Sequence, residues 1–229
     1  TISYNGAVVA TRNPAFNNTY GYDADIFELQ IVTNDTLRNN KTAATVRFNT
    51  TVETYHLQVI TTSITNFNPT YTFEKTATDI NGGAFLLCDS LLYRIRYSNR
   101  GNDSSTNTII LDNLPSGTAY IPGSIKIGTT TKTDVSSDDE AEYDFTNNRI
   151  LFRLGVGANS AAGGRVGPGV IDSVEFKVVS ASSCQIVSCV GSLRNSARIN
   201  YGGKLSGGVF FDSSGVTIAG CIVQGPVIM

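Results

Sequence analysis

The chain has no tryptophan, a single histidine and a single methionine, and charged residues make up only 16% of its 229 positions. Each scarcity excludes something. His56, the one histidine, sits in the expected strand Tyr55-His56-Leu57-Gln58-Val59, on the face opposite the apolar one, and no Gly-x-Ser-x-Gly elbow exists to supply it with a nucleophile. An exposed strand histidine is the plain expectation, and the chain reads as nonenzymatic. Seventeen basic against nineteen acidic residues give a net charge of -2 without a basic run, which argues against nucleic acid as a partner. The longest apolar stretches, such as Ala84 to Leu87 and Cys221 to Val223, fall far short of the roughly 20 residues a membrane helix needs, so no membrane insertion is expected of this segment. Gly155-Val156-Gly157 and Gly163-Gly164 lack the following Lys-Ser/Thr of a phosphate loop and read as turns.

What the chain has instead is 26 threonines, 20 asparagines and 22 glycines. Threonine favours strands, asparagine and glycine favour turns, and helical spacing of apolar residues is missing, so the expected fold class is all-β. Alternation with period two recurs. Tyr93, Ile95 and Tyr97 share a face, as do Ile109 and Leu111, Ile125 and Ile127, Ile150, Phe152 and Leu154, Val174, Phe176 and Val178, and Ala197, Ile199 and Tyr201. Turn signals separate these runs: Asn99-Arg100-Gly101-Asn102, Leu114-Pro115-Ser116-Gly117, Ile121-Pro122-Gly123, Thr146-Asn147-Asn148 and Gly167-Pro168-Gly169. About seven short strands over roughly 130 residues fit an immunoglobulin-like antiparallel sandwich. Residues 73–202 are assigned to it. Residues 1–72 form a preceding β domain, expected incomplete, with strands around Ile2 to Ala10, Ile26 to Val32, Ala44 to Phe48 and Tyr55 to Ile64. Residues 203–229 form a Gly-rich connector with a possible strand at Val216 to Val223. The start at Thr1 and the only methionine at position 229 suggest a segment of a longer chain.

Residues 74 to 201 resemble the conserved-repeat domain of large bacterial surface proteins. The resemblance rests on Glu74-Lys75-Thr76, the tyrosine strand Asp89 to Ser98 with its turn Asn99-Arg100-Gly101, the turn strand Leu111-Asp112-Asn113-Leu114-Pro115-Ser116-Gly117 through Ser124, and the closing Asn195-Ser196-Ala197-Arg198-Ile199-Asn200-Tyr201. With Gly21 to Ile26 and Gly155 to Asn159 added, it is similar to a subtype in Bacteroidota adhesins of the type nine secretion and gliding-motility kind. The resemblance implies an extracellular, cell-surface location and a structural role in a long adhesin or stalk, with neighbouring β domains of the same chain, and surface glycans as a further candidate, as partners. A carbohydrate-binding module and an accessory domain of a secreted hydrolase are the alternatives.

Candidate sites are few. Asp134, Asp138, Asp139 and Asp144, with Glu140 and Glu142 among them, fall in one expected loop whose oxygens would suit Ca²⁺, although the Asp-x-Asp-x-Asp-Gly register is missing and a solvated acidic loop is the plainer reading. Asp23 and Asp25 form a weaker acidic pair. Cys184 and Cys189 lie across one loop, leaving Cys88 and Cys221 as a long-range pair, but four cysteines allow three connectivities and free thiols are also open. Thr36, Ser90 and Ser173 each follow aspartate and precede an aliphatic residue, which resembles an O-glycosylation signal of Bacteroidota. Lys75 in the opening strand, with Asn195 or Asn200 in the closing one, resembles the Lys-to-Asn isopeptide pairing of other surface sandwiches. That reaction needs a buried carboxylate beside the pair, which the sequence does not place, so a plain surface Lys75 is expected.

Overall fold

The computed structural model describes residues 2–4, 7–9, 24–27, 43–49, 51, 52, 54, 56–63, 65–83, 85, 86, 88–180 and 192–219. The chain divides into two compact units, Thr1–Ile60 and Thr61–Met229. In the first, strand β1 (Ile2–Tyr4) pairs antiparallel with β2 (Ala7–Val8) and parallel with β3 (Ala24–Ile26). The strands expected around Ala44 to Phe48 and Tyr55 to Ile64 do not form among the described residues there.

The second unit is an antiparallel sandwich. Its strands are β4 (Tyr71–Asp79), β5 (Ser90–Asn99), β6 (Ser105–Asn113), β7 (Thr118–Tyr120), β8 (Lys126–Ile127), β9 (Thr130–Thr131), β10 (Ala141–Asp144), β11 (Arg149–Leu154), β12 (Ile171–Ser180), β13 (Ser192–Gly203) and β14 (Val209–Ala219). One sheet runs β10-β11-β6-β13-β14. The other runs β4-β5-β12-β8-β9, with β7 also on β12. The alternating residues of β5, β11, β12 and β13 point inward as their spacing predicts: Leu91, Tyr93, Ile95, Ile150, Phe152, Val174, Phe176, Val178 and Ile199 are all inaccessible to solvent. Phe176 touches partners on both sheets, with ring centroids 5.3 Å from Tyr93 and 6.4 Å from Phe152. Burying such a ring stabilises the fold by about 1.5–3 kcal/mol.

Three expectations need correction. In β6 the inward set is Thr108, Ile110 and Asp112, while Ile109 and Leu111 are only half-buried. Position 110, not 109, carries the core contact, because β6 must alternate in step with Ile150 opposite Asp112 and Ala197 opposite Asp112. Second, the strand expected from Val216 begins earlier in the final segment, at Val209. β14 pairs with β13 from Ser192↔Ala219 to Gly202↔Val209, an edge strand in continuous register. Third, the Asn99 to Asn102 turn, in which Asn99 and Gly101 could adopt positive φ at little cost, forms without positive φ at either. Asn99 Oδ1 accepts from the backbone N–H of Thr70 (3.2 Å) and Gly101 (3.0 Å), while its Nδ2 donates to the carbonyls of Asp103 (2.8 Å) and Val166 (3.1 Å). Gly101 is required by close approach: a Cβ there would lie 2.1 Å from the Asn68 carbonyl oxygen and 2.6 Å from the Thr70 nitrogen. The turn thereby holds the entry to β4 in place.

Candidate crosslinking site

β4 alternates Tyr71, Phe73, Lys75 and Ala77 toward the core and Thr72, Glu74 and Thr76 toward solvent. Lysine therefore stands where the strand calls for an apolar side chain. Contrary to expectation, Lys75 is no surface residue: its side chain is fully buried, and its Nζ donates to Asp112 Oδ2, itself fully buried. The two come from opposite sheets, Lys75 from β4 and Asp112 from the C-terminal end of β6, the central strand of its sheet. Asn195 joins them. Because Ala197 pairs with Asp112, Asn195, two residues earlier on the same face of β13, is the diagonal neighbour of Asp112. It is 1% exposed, whereas Asn200 points to the opposite face and is only half-buried. The backbone N–H of Lys75 donates to Ser214 Oγ (3.1 Å), tying β4 to β14 at this level of the sandwich.

Two neighbouring aromatic rings lie against the amine. Lys75 Nζ stands 4.6 Å from the ring centroid of Tyr93 and 5.3 Å from that of Phe176. Burial lowers the Lys75 pKa to about 8 against the opposing pull of Asp112. Burial likewise raises the Asp112 carboxyl to about 6, with Lys75 and then Asn195 opposing. Both groups are thus moved toward their neutral forms, which makes it easier to pass the proton from the ammonium to the carboxylate. Around them are polar atoms that make no aligned hydrogen bond: Asp112 Oδ1, both Oδ1 and Nδ2 of Asn195, and the Tyr93 hydroxyl. Buried groups of this kind cost free energy, so their convergence at one point calls for a reason. A primary amine with a lowered pKa, a carboxylate to carry its proton and a carboxamide in a buried pocket are the ingredients of amide exchange.

The other expected sites do not assemble. Among the described residues, no group of three or more His, Cys, Asp or Glu side chains is placed to hold a metal ion. The acidic loop's carboxylates serve its own turns: Asp134 accepts from the Tyr120 hydroxyl and from Gly123 N–H (2.7 Å), Asp138 from the Thr133 hydroxyl (2.6 Å), and Asp139 from the N–H of Thr133 (2.9 Å) and Ala141 (2.8 Å). Asp144 accepts from Asn147 Nδ2 (2.7 Å) and Arg149 Nε (2.9 Å). Nearby, a cavity of about 150 Å³ is lined by Lys132, Glu140 and Arg153 among others, and its charges are already matched, Lys132 with Glu140 and Arg153 with Glu142 at 2.9 Å. Cys88 is exposed and carries no disulfide among the described residues. Cys184, Cys189 and Cys221 lie outside them, as do Thr36 and Asp23. Ser90 opens β5 and Ser173 lies inside β12, both half-buried in paired strands. His56 is exposed and lies outside any strand.

No family model matches the chain, and no curated protein matches it. Solved structures do. The full-length major pilin SpaD from Corynebacterium diphtheriae is similar at 17% identity over 65% of this chain and 34% of that one, with a TM-score of 0.47. The major pilin subunit BcpA of Bacillus cereus is similar at 12% identity over 66% of this chain and 39% of that one, TM-score 0.43. ACE19, the collagen binding subdomain of Enterococcus faecalis surface protein ACE, is similar at 16% identity over 66% of this chain and 97% of that one, TM-score 0.40. The chain spans between a third and two-fifths of the length of these two pilins. These neighbours come from Gram-positive bacteria, and the Bacteroidota, gliding-motility and type nine secretion assignment gains no support from them.

Proposed function

We propose that this chain is a nonenzymatic structural segment of an extracellular bacterial surface protein, and that its sandwich locks itself with an isopeptide bond between Lys75 and Asn195. The observation that carries this reading is the fully buried Lys75–Asp112 pair with the Asn195 carboxamide diagonally beside it. Asp112 takes a proton from the Lys75 ammonium, leaving a neutral amine and a carboxylic acid. The Nζ lone pair attacks Asn195 Cγ, the carbonyl electrons move to Oδ1, and the proton displaced from Nζ returns through Asp112 to Nδ2. Collapse of the adduct breaks the Cγ–Nδ2 bond and expels ammonia, so one amide replaces one amine and one carboxamide. Nothing else is consumed. Holding the reacting groups side by side replaces an encounter with a step inside one molecule, an advantage worth about 7–11 kcal/mol in well-oriented systems. The partners of such a segment are neighbouring β domains of its own chain.

Intact-mass spectrometry of the folded chain tests the reading. The expected mass is lower than the sequence mass by one ammonia, about 17 Da, and digestion yields one branched peptide joining the Lys75 and Asn195 segments. Asp112→Ala restores the full mass. A wild-type chain at full mass after folding overturns the proposal.

A further inference from the structure

The crosslinking reading leaves the negative charge on Asn195 Oδ1 unaccounted for. As the tetrahedral adduct forms, that oxygen becomes an oxyanion in a site buried from solvent, where a correctly aimed donor is worth far more than in solution. Asp112 is occupied: its acid proton is the one that must reach the leaving nitrogen, and its Oδ2 faces Lys75. Phe176, whose ring lies beside that of Tyr93, has nothing to donate. Tyr93 does. It is completely buried, its inward position on β5 is one diagonal step from Lys75 on β4, and its ring is the nearer of the two to Nζ. Its hydroxyl has no hydrogen-bond partner, although a buried tyrosine ordinarily finds one. Asn195 Oδ1 is an acceptor in the same state. A lone donor and a lone acceptor within one dry cluster are explained together if their bond forms only as the reaction proceeds, since catalytic hydrogen bonds are commonly long before the transition state.

We propose that the Tyr93 hydroxyl is the oxyanion donor of the crosslinking reaction, a catalytic residue that acts on Asn195 Oδ1 while Asp112 carries the protons. The surroundings suit that task. Burial, reinforced by the Asp112 charge, pushes the phenol above its ordinary range, so it stays protonated throughout the pH range of the reaction. The division of labour also accounts for the use of tyrosine where phenylalanine would pack equally well.

This inference rests on the crosslinking reading, and one kinetic experiment separates the two. Chains kept denatured from the time of synthesis are refolded by dilution, and loss of ammonia is followed by intact mass over time for wild type, Tyr93→Phe and Asp112→Ala. Tyr93→Phe keeps the ring beneath the amine and removes only the donor. Its expected crosslinking rate is slower by about 10²-fold or more, with the same final mass and an unchanged shape of the rate–pH profile. A merely structural role would instead displace Lys75 and shift the limbs of that profile. Should Tyr93→Phe refold poorly, 3,5-difluorotyrosine installed at position 93 makes a stronger donor of the same shape and is expected to accelerate the reaction. Equal rates in wild type and either variant overturn the role of Tyr93 and leave the crosslink standing. No loss of ammonia in refolded wild type overturns both.

Discussion

Replacing Asn195 by alanine removes the electrophile and keeps the Lys75–Asp112 pair, so it isolates what the crosslink itself contributes. The bond would close a loop of about 120 residues, and fixing such a loop in the unfolded chain is worth about 5 kcal/mol in the chain-entropy treatment of covalent links. The lost contacts of Asn195 add little, because its side-chain atoms make no aligned hydrogen bond. For a domain of this size each kcal/mol moves the melting temperature by about 2–4 °C, so Asn195→Ala should melt roughly 10–20 °C below the crosslinked wild type. Asp112→Ala should melt lower still: it too forms no crosslink, and it leaves the Lys75 amine buried without its partner, a further loss of about 3–5 kcal/mol in comparable cases. Scanning calorimetry paired with intact mass on the same samples gives both quantities. A wild type that has lost ammonia yet melts within about 3 °C of Asn195→Ala would refute the stability reasoning, and the order wild type, Asn195→Ala, Asp112→Ala must hold.

The crosslinking rate on refolding should be bell-shaped in pH. Below about 6 Asp112 is already protonated and cannot take the proton that the Lys75 ammonium must give away, and above about 8 the pair has lost the proton needed to expel ammonia, so a rate still climbing beyond that value argues against Asp112 as carrier. In the crosslinked protein the Lys75 charge is gone, which removes the main influence lowering the Asp112 pKa. Its carboxyl should therefore titrate above about 6, as ¹³C NMR of the side-chain carbon would register. Gly101→Ala drives a Cβ into the Asn68 and Thr70 backbone and should cost at least about 2 kcal/mol in urea unfolding, whether or not the crosslink forms. Phe152→Ala, which empties the contact with Phe176 between the sheets, should cost about 3–5 kcal/mol by the same assay.

Where a strand alternates cleanly, its inner face is readable without coordinates. Tyr93, Ile95 and Tyr97 in β5 and Ala197, Ile199 and Tyr201 in β13 are buried as their spacing implies, and extending the second series back by two residues reaches Asn195. The same parity applied to Tyr71, Phe73 and Ala77 marks Lys75 as an inward lysine, a signal available in the sequence and easily passed over. Asp112 was harder. Ile109, Ile110 and Leu111 are apolar in both parities, so the run does not say which face is which, and placing Ile109 and Leu111 on one face leaves open whether Asp112 points in or out. Only pairing with β11 and β13 fixes it. The acidic loop misled for the opposite reason: its carboxylates are close in sequence, but each is bound by the turn it shapes.

The proposed bond would join β4, the first strand of the sandwich, to β13, the last but one. If tension is applied to the two ends of the sandwich, it enters near Thr70, crosses from Lys75 to Asn195 and leaves along β13 and β14, so residues 76–194 hang slack beside the line of force. Only the closing hairpin lies beyond that shortcut. Pulled from Ala219, opposite Ser192, it opens from its free end one pair at a time. The slack available is then residues 196–219, about 80 Å when fully drawn out, after which the chain is taut and cannot lengthen without breaking a covalent bond.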